Sequence, residues 1–170
     1  MPITPQEFVH KWRGVTLKER SAAQEHFLDL CHLIGHPTPA EDDPTGQRFT
    51  FEAGADKQRG GQGWADVWKR GCFAWEYKGK HADLGKAYQQ LLQYRESLLN
   101  PPLLVVSDIE RIVVHTNFTN TVKQTVEIGL DDLLTPAGMD HLRAVFTEPE
   151  RFKSSQTSEQ VTEQAAQEFA

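Results

Sequence analysis

Gly63-Trp64-Ala65-Asp66-Val67-Trp68-Lys69-Arg70-Gly71-Cys72-Phe73-Ala74-Trp75-Glu76-Tyr77-Lys78-Gly79 is the stretch from which the fold follows. Two apolar runs rich in Val, Trp, Phe and Tyr flank a Lys69-Arg70-Gly71 turn, the pattern of antiparallel strands joined by a tight connection. Both runs are interrupted by charge: Asp66 in the first, Glu76 and Lys78 in the second. A strand going into a core rarely carries charge unless the charge is paired or binds a metal.

Spacing decides what these charges can do together. Side chains at i and i+2 of a strand share a face, so Glu76 and Lys78 point the same way. A turn centred near Arg70 sets Asp66 opposite Ala74, on that same face as a diagonal neighbour of Glu76. Two carboxylates and a lysine then converge. An oxygen-only pair of this kind suits Mg2+, which keeps several waters and takes one or two carboxylates together with substrate phosphates. Lys78 would orient or help deprotonate a water for in-line attack on a phosphodiester, while the cation stabilises the developing charge.

Asp66, nine intervening residues and then Glu76-x-Lys78 resemble the D-x(n)-(D/E)-x-K signature of the PD-(D/E)xK nuclease superfamily. Three further elements accompany it in the right order. They are the Gly63-Trp64-Ala65-Asp66-Val67-Trp68 context, a Gln90-x-x-x-Tyr94 similar to the Q-x-x-x-Y element of RecB-like and type I restriction nucleases, and the run from Glu19 to Cys31. Over roughly Trp12 to Leu134 the chain resembles the amino-terminal nuclease region of MmeI-like type IIL restriction-modification enzymes. Ala65 stands where the superfamily name has Pro.

The resemblance implies an α/β fold of the restriction-endonuclease kind, with a mixed central sheet flanked by helices. It also implies Mg2+ (or Mn2+) held by Asp66, Glu76 and the Tyr77 carbonyl, with double-stranded DNA as substrate. Related nucleases often place a glutamate near the start of the helix that here begins near Glu19, where it reaches the metal directly or through water. A first-turn Glu favoured by the helix dipole is an equal reading of Glu19. Gln90 and Tyr94, one turn apart, would hydrogen-bond substrate backbone or brace Lys78. A solvated face of a one-sided sheet is the bland reading of Asp66, Glu76 and Lys78 taken alone.

The remaining elements follow from periodicity and punctuation. Pro5 to Arg13 reads as a short helical segment around Phe8, Val9 and Trp12. Thr16 to Ile34 is a longer helix whose inward stripe includes Ala23, Phe27, Leu30 and, at its start, Glu19, with Glu25, Asp29 and His32 on the opposite side. Residues 37 to 47 form a loop, and Arg48 to Ala53 an edge strand. The glycine-rich stretch from Gly54 to Gly63 lacks the GKS or GKT ending of a P-loop and reads as a connection whose Lys57 and Arg59 could touch DNA backbone. A helix from about Ala82 to Leu99 follows, with Leu98 and Leu99 on its buried side. Its strand-helix-strand passage from Glu76 to Val106 should be a right-handed crossover giving a parallel pair. Strands at Arg111 to Thr116 and Thr125 to Leu130 and a helix at Pro136 to Phe146 complete the domain. Asn100-Pro101-Pro102 resembles part of the target-base motif of amino-group DNA methyltransferases, but Leu103 replaces the aromatic, and the segment reads as a helix stop.

Length and charge bound the function further. At 170 residues the chain suits one domain with an extension and a core that needs no disulfide. Two cysteines and no apolar leader read as a cytoplasmic protein with reduced thiols, and no apolar run is long enough for a membrane span. Cys31, His32 and His36 lack the second pair that a structural zinc site needs. The net charge of -6 divides into -2 over residues 1 to 49, +3 over 50 to 95 and -7 over 96 to 170. The positive share, which includes Lys57, Arg59, Lys78 and Lys80, falls where phosphate contact is expected. Residues 1–147 are thus expected to form the nuclease domain, and 148–170 a linker and the start of a helical connector. By resemblance the connector leads to methyltransferase and target-recognition domains that use S-adenosylmethionine. Another nuclease of the superfamily acting in repair or on junctions, a catalytically silent interaction module, and a methyltransferase piece are the alternatives.

Overall fold

The computed structural model describes residues 2–15, 19–54, 63–80 and 82–169, with the backbone alone at 19–21 and 158. Among the described residues six α-helices, α1 (Pro5–Arg13), α2 (Glu19–Ile34), α3 (Pro39–Asp42), α4 (Leu84–Tyr94), α5 (Pro136–Thr147) and α6 (Ser158–Glu168), accompany six strands. The strands are β1 (Phe49–Ala53), β2 (Ala65–Lys69), β3 (Phe73–Tyr77), β4 (Leu103–Ser107), β5 (Arg111–Thr116) and β6 (Thr125–Gly129). They form one sheet in sequential order from β1 to β6. Every neighbouring pair is antiparallel except β3 and β4, which run parallel across the α4 crossover. A mixed α/β sheet flanked by helices, consistent with the restriction-endonuclease-like expectation, is therefore what the chain adopts.

Helices cover both faces. Phe8 and Trp12 of α1, Phe27 and Leu30 of α2 and Phe146 of α5 pack with Phe49, Val67, Phe73, Trp75 and Tyr77 on one side. On the other side Leu84, Ala87 and Leu91 of α4 pack with Ala74, Leu104 and Val106. β3 and β4 lie between the two layers and are buried at every position, as the central parallel strands of a covered sheet must be. Phe27 is the centre of the first layer: its ring centroid lies 5.4–6.0 Å from those of Phe49, Phe51, Phe73, Trp75 and Phe146.

Three expectations are corrected. The β2–β3 turn is centred on Gly71, not Arg70, because Gly71 supplies the left-handed φ of +75° while the Cys72 amide closes onto the Lys69 carbonyl at 3.0 Å. The register becomes Val67↔Trp75 and Trp68↔Ala74, so one further step sets Asp66 opposite Glu76. A register change of two leaves every side chain on its expected face. Helix α4 ends at Tyr94 and not near Leu99. The Leu99 and Asn100 amides turn back to the Glu96 and Arg95 carbonyls, and both residues take positive φ ahead of Pro101. In consequence Leu98 is buried but Leu99 is exposed. Asn100-Pro101-Pro102 lies between that helix end and β4, with the Pro101 and Pro102 carbonyls accepting from Asn117.

Beyond α5 the chain stays on the domain for several residues. Phe152 is buried in the first layer, and Thr157 bridges Thr121 in the β5–β6 connection. Among the described residues no helix is long and apolar enough to cross a membrane.

Phe27→Ala removes the ring on which five others converge, and chemical unfolding should show a loss of about 3–5 kcal/mol. Phe169→Ala, at a position 90% exposed, should move stability by less than about 0.5 kcal/mol. A Phe27→Ala cost as small as that of Phe169→Ala would contradict the packing described.

Candidate active site

Asp66 and Glu76 meet at the end of the hairpin where the paired strands part. Val67↔Trp75 is the last pair of the ladder. Beyond it the Tyr77 amide donates to Asp66 Oδ2 at 2.7 Å, so a side-chain carboxylate takes the role that a ladder carbonyl has elsewhere. The carboxylate of Asp66 is thereby fixed against the backbone of the very residue that joins Glu76 to Lys78.

Glu76 is 6% exposed. Gln90 of α4 donates through Nε2 to Glu76 Oε1 at 3.4 Å, and Lys78 Nζ lies 4.0 Å from the same oxygen. The Lys78 backbone is held in turn, its amide donating to the Ser107 carbonyl of β4 at 2.8 Å. Asp66, Glu76, Tyr77, Lys78 and Gln90 are thus one constellation. Within it, Gln90 reaches Glu76.

The other expected residues lie outside that constellation. Tyr94 points its ring at Trp64, stacked at a centroid distance of 6.5 Å. Lys80 pairs with Glu110 of the β4–β5 turn at 2.9 Å. Lys57 and Arg59 lie outside the described residues, as does the side chain of Glu19, whose backbone opens α2. Cys31 belongs to the apolar core, where burial pushes its thiol up to about 12.

One supporting residue was not foreseen. His26 of α2 is 1% exposed, with Nδ1 2.8 Å from the Tyr77 hydroxyl. Its ring sits edge-on to Trp12 at 4.8 Å and close to Phe8 and Tyr77. Burial, aided by the Lys11 charge, pushes His26 down from 6.5 to about 3. Desolvation, with smaller contributions from Cys31 and Asp66, raises the Tyr77 phenol well above its ordinary range. Both rings are therefore neutral at pH 7. The sequence carried a signal for His26: it lies three and four positions from Ala22, Ala23 and Leu30, all buried on the inward stripe.

The donors fit a hard cation better than a soft one. Among the described residues no group of three or more His, Cys, Asp and Glu side chains could hold a metal ion. Two carboxylates offering oxygen alone suit Mg2+ better than Zn2+.

His26 also predicts an acid sensitivity. Its folded value lies below its unfolded one, so between about pH 6.5 and pH 3 the unfolded chain holds a proton that the folded chain does not. Stability then rises with pH in that window and falls on acidification, by about 1.4 kcal/mol per pH unit for one proton. Denaturant unfolding at several pH values should show a slope shallower by one proton in His26→Phe. An unchanged slope would mean that His26 is charged in the folded protein.

Comparison with known families gives a match to the family model described as MmeI, N-terminal domain, over residues 3–170. Searches of curated proteins and of solved structures give no significant match. The family match spans the whole described fold and the constellation at its centre, and the chain therefore belongs to the MmeI N-terminal domain family, as a domain of a restriction-modification enzyme.

Proposed function

We propose that this domain is the Mg2+-dependent DNA endonuclease of its enzyme. The observation that carries the reading is the juxtaposition of Asp66 and Glu76 across β2 and β3, with Lys78 at 4.0 Å from Glu76 and the Tyr77 amide on Asp66. Asp66, Glu76 and the Tyr77 carbonyl would hold Mg2+, with Mn2+ as a substitute. When bound, the ion supplies charge stabilisation at the phosphoryl oxygens and acidifies a water. Lys78 orients that water and helps its deprotonation by placing a positive charge beside it, the proton passing to bulk solvent. Gln90 holds the Glu76 carboxylate in place. Glu19, at the start of α2, is proposed to reach the metal directly or through water.

Double-stranded DNA is the proposed substrate. Lys80 would contact a phosphate after leaving Glu110, and Lys57 and Arg59 would add to the same basic surface. The local surplus of three positive charges over residues 50 to 95 neutralises few phosphates. Sequence specificity and most of the affinity are accordingly proposed to come from target-recognition and S-adenosylmethionine-dependent methyltransferase domains of the same enzyme.

In the protein that contains this chain, Asp66→Ala, Glu76→Ala and Lys78→Ala should each abolish Mg2+-dependent and Mn2+-dependent cleavage while leaving the protein folded. Wild-type cutting by any one of them would remove that residue from the site, and by all three would overturn the reading. Glu19→Gln should slow cleavage far more than Glu25→Gln, whose wild-type side chain is engaged with Lys11 at 2.8 Å on the surface. Equal rates in these two variants would confine Glu19 to a role at the helix terminus.

A further inference from the structure

Helix α4 grips β2 at two places, one on each side of Asp66. Trp68, two residues after Asp66, donates through Nε1 to the Leu98 carbonyl just beyond α4 at 2.9 Å. Trp64, two residues before it, stacks on Tyr94 of α4 with ring planes 26° apart. Asp66 and Trp68 share one side of β2, about 7 Å apart along the strand, while Trp64 stands at the bend that leads into β2. Both rings also pack against the cluster formed by α4, Leu104 and Val106.

Trp64 has a second constraint. Gly54 approaches it so closely that a Cβ there would lie 2.3 Å from the indole ring, and Gly54 takes a φ of +77° besides. The Trp64 amide donates to the Ala53 carbonyl at 2.7 Å. The indole is thus seated against the end of β1 and against α4 at once. Gln90 and Tyr94 then divide the work of one helical turn: Gln90 holds Glu76 on β3 and Tyr94 holds the start of β2.

We propose that Trp64 and Tyr94 are positioning residues for Asp66, and that Tyr94 acts through its ring and not through its hydroxyl. This rests on the nuclease reading for its consequence in catalysis, but the geometry has a separate reporter. The Tyr77 amide donates to the Asp66 carboxylate, so its hydrogen exchange reads the placement of Asp66 whether or not DNA is cut.

The test uses Tyr94→Phe, Tyr94→Leu and Gly54→Ala in the protein that contains this chain. It measures steady-state cleavage, and residue-resolved amide exchange at Tyr77 with Val105 and Val114 as core references. Tyr94→Phe should keep kcat within about twofold of wild type. Tyr94→Leu and Gly54→Ala should lose roughly tenfold or more in kcat with KM little changed, since a misplaced catalytic group costs rate and not ground-state binding. In those two variants Tyr77 exchange should quicken roughly tenfold while Val105 and Val114 hold their protection, which separates local displacement from general destabilisation. Tyr94→Phe as impaired as Tyr94→Leu would assign the role to the hydroxyl and overturn the proposal. Unchanged Tyr77 exchange in both Tyr94→Leu and Gly54→Ala would overturn it as well. A parent protein that does not cut DNA, with Tyr77 exchange responding as stated, would overturn the nuclease reading and support the brace.

Discussion

The hydrogen bond from the Tyr77 amide to the Asp66 carboxylate joins two demands that ordinarily conflict. A sheet at the centre of a covered fold needs every backbone amide satisfied, while a strand that carries an acid must find a place for its carboxylate. Here the strands part after Val67 and Trp75, and the acid itself satisfies the amide that parting would leave open. Around this bond the rest is arranged in layers. Tyr77 is pinned from one face by His26, and Glu76 is held from the other by Gln90. The adjoining Lys78 amide is tied to β4. The geometry of the constellation is thus inherited from a strand that is buried along its whole length, a rigid support of the sort that precise sites need.

The sequence displayed most of this, for identifiable reasons. The hairpin was legible because Val, Trp, Phe and Tyr runs around a glycine turn admit few other readings, and the parallel β3–β4 pair because a strand-helix-strand passage has one usual outcome. The register was misplaced by two, since Arg70 and Gly71 are both plausible turn centres until the positive φ of Gly71 is seen. The end of α4 was misplaced because Glu96, Ser97 and Leu98 continue the helical period, whereas the break comes from Leu99 and Asn100 in the left-handed region. Such strain at non-glycine residues leaves no mark in composition. His26 escaped notice because a histidine on an apolar stripe looks like an interruption until its partner, fifty-one positions away, is known. Spacing puts Tyr94 on one strip of α4 with Gln90, but spacing along a helix says nothing about which strand each residue reaches.

Charge tells a consistent story at a coarser scale. The chain is acidic as a whole, yet the surplus of acid lies after residue 95 and the segment bearing the constellation is positive. Lys80 is engaged by Glu110, an exposed pair of the kind that contributes little to stability. The basic character near the constellation is therefore modest in amount and adjustable in position.

The sequential order of the sheet bears on how the molecule comes together in time. Each strand finds its partner in the strand next to it along the chain, so most pairings close short loops, and short loops cost little entropy to close. Asp66 and Glu76 are only ten positions apart, joined by the tightest of these closures. The parallel pairing of Phe73 with Leu103 spans thirty, with α4 between the two strands. Proteins in which local closures dominate tend to fold rapidly. The hairpin that brings the two acids together is among the most local pairings in the sheet, whereas the grips beside α4 reach the β2 segment across thirty positions.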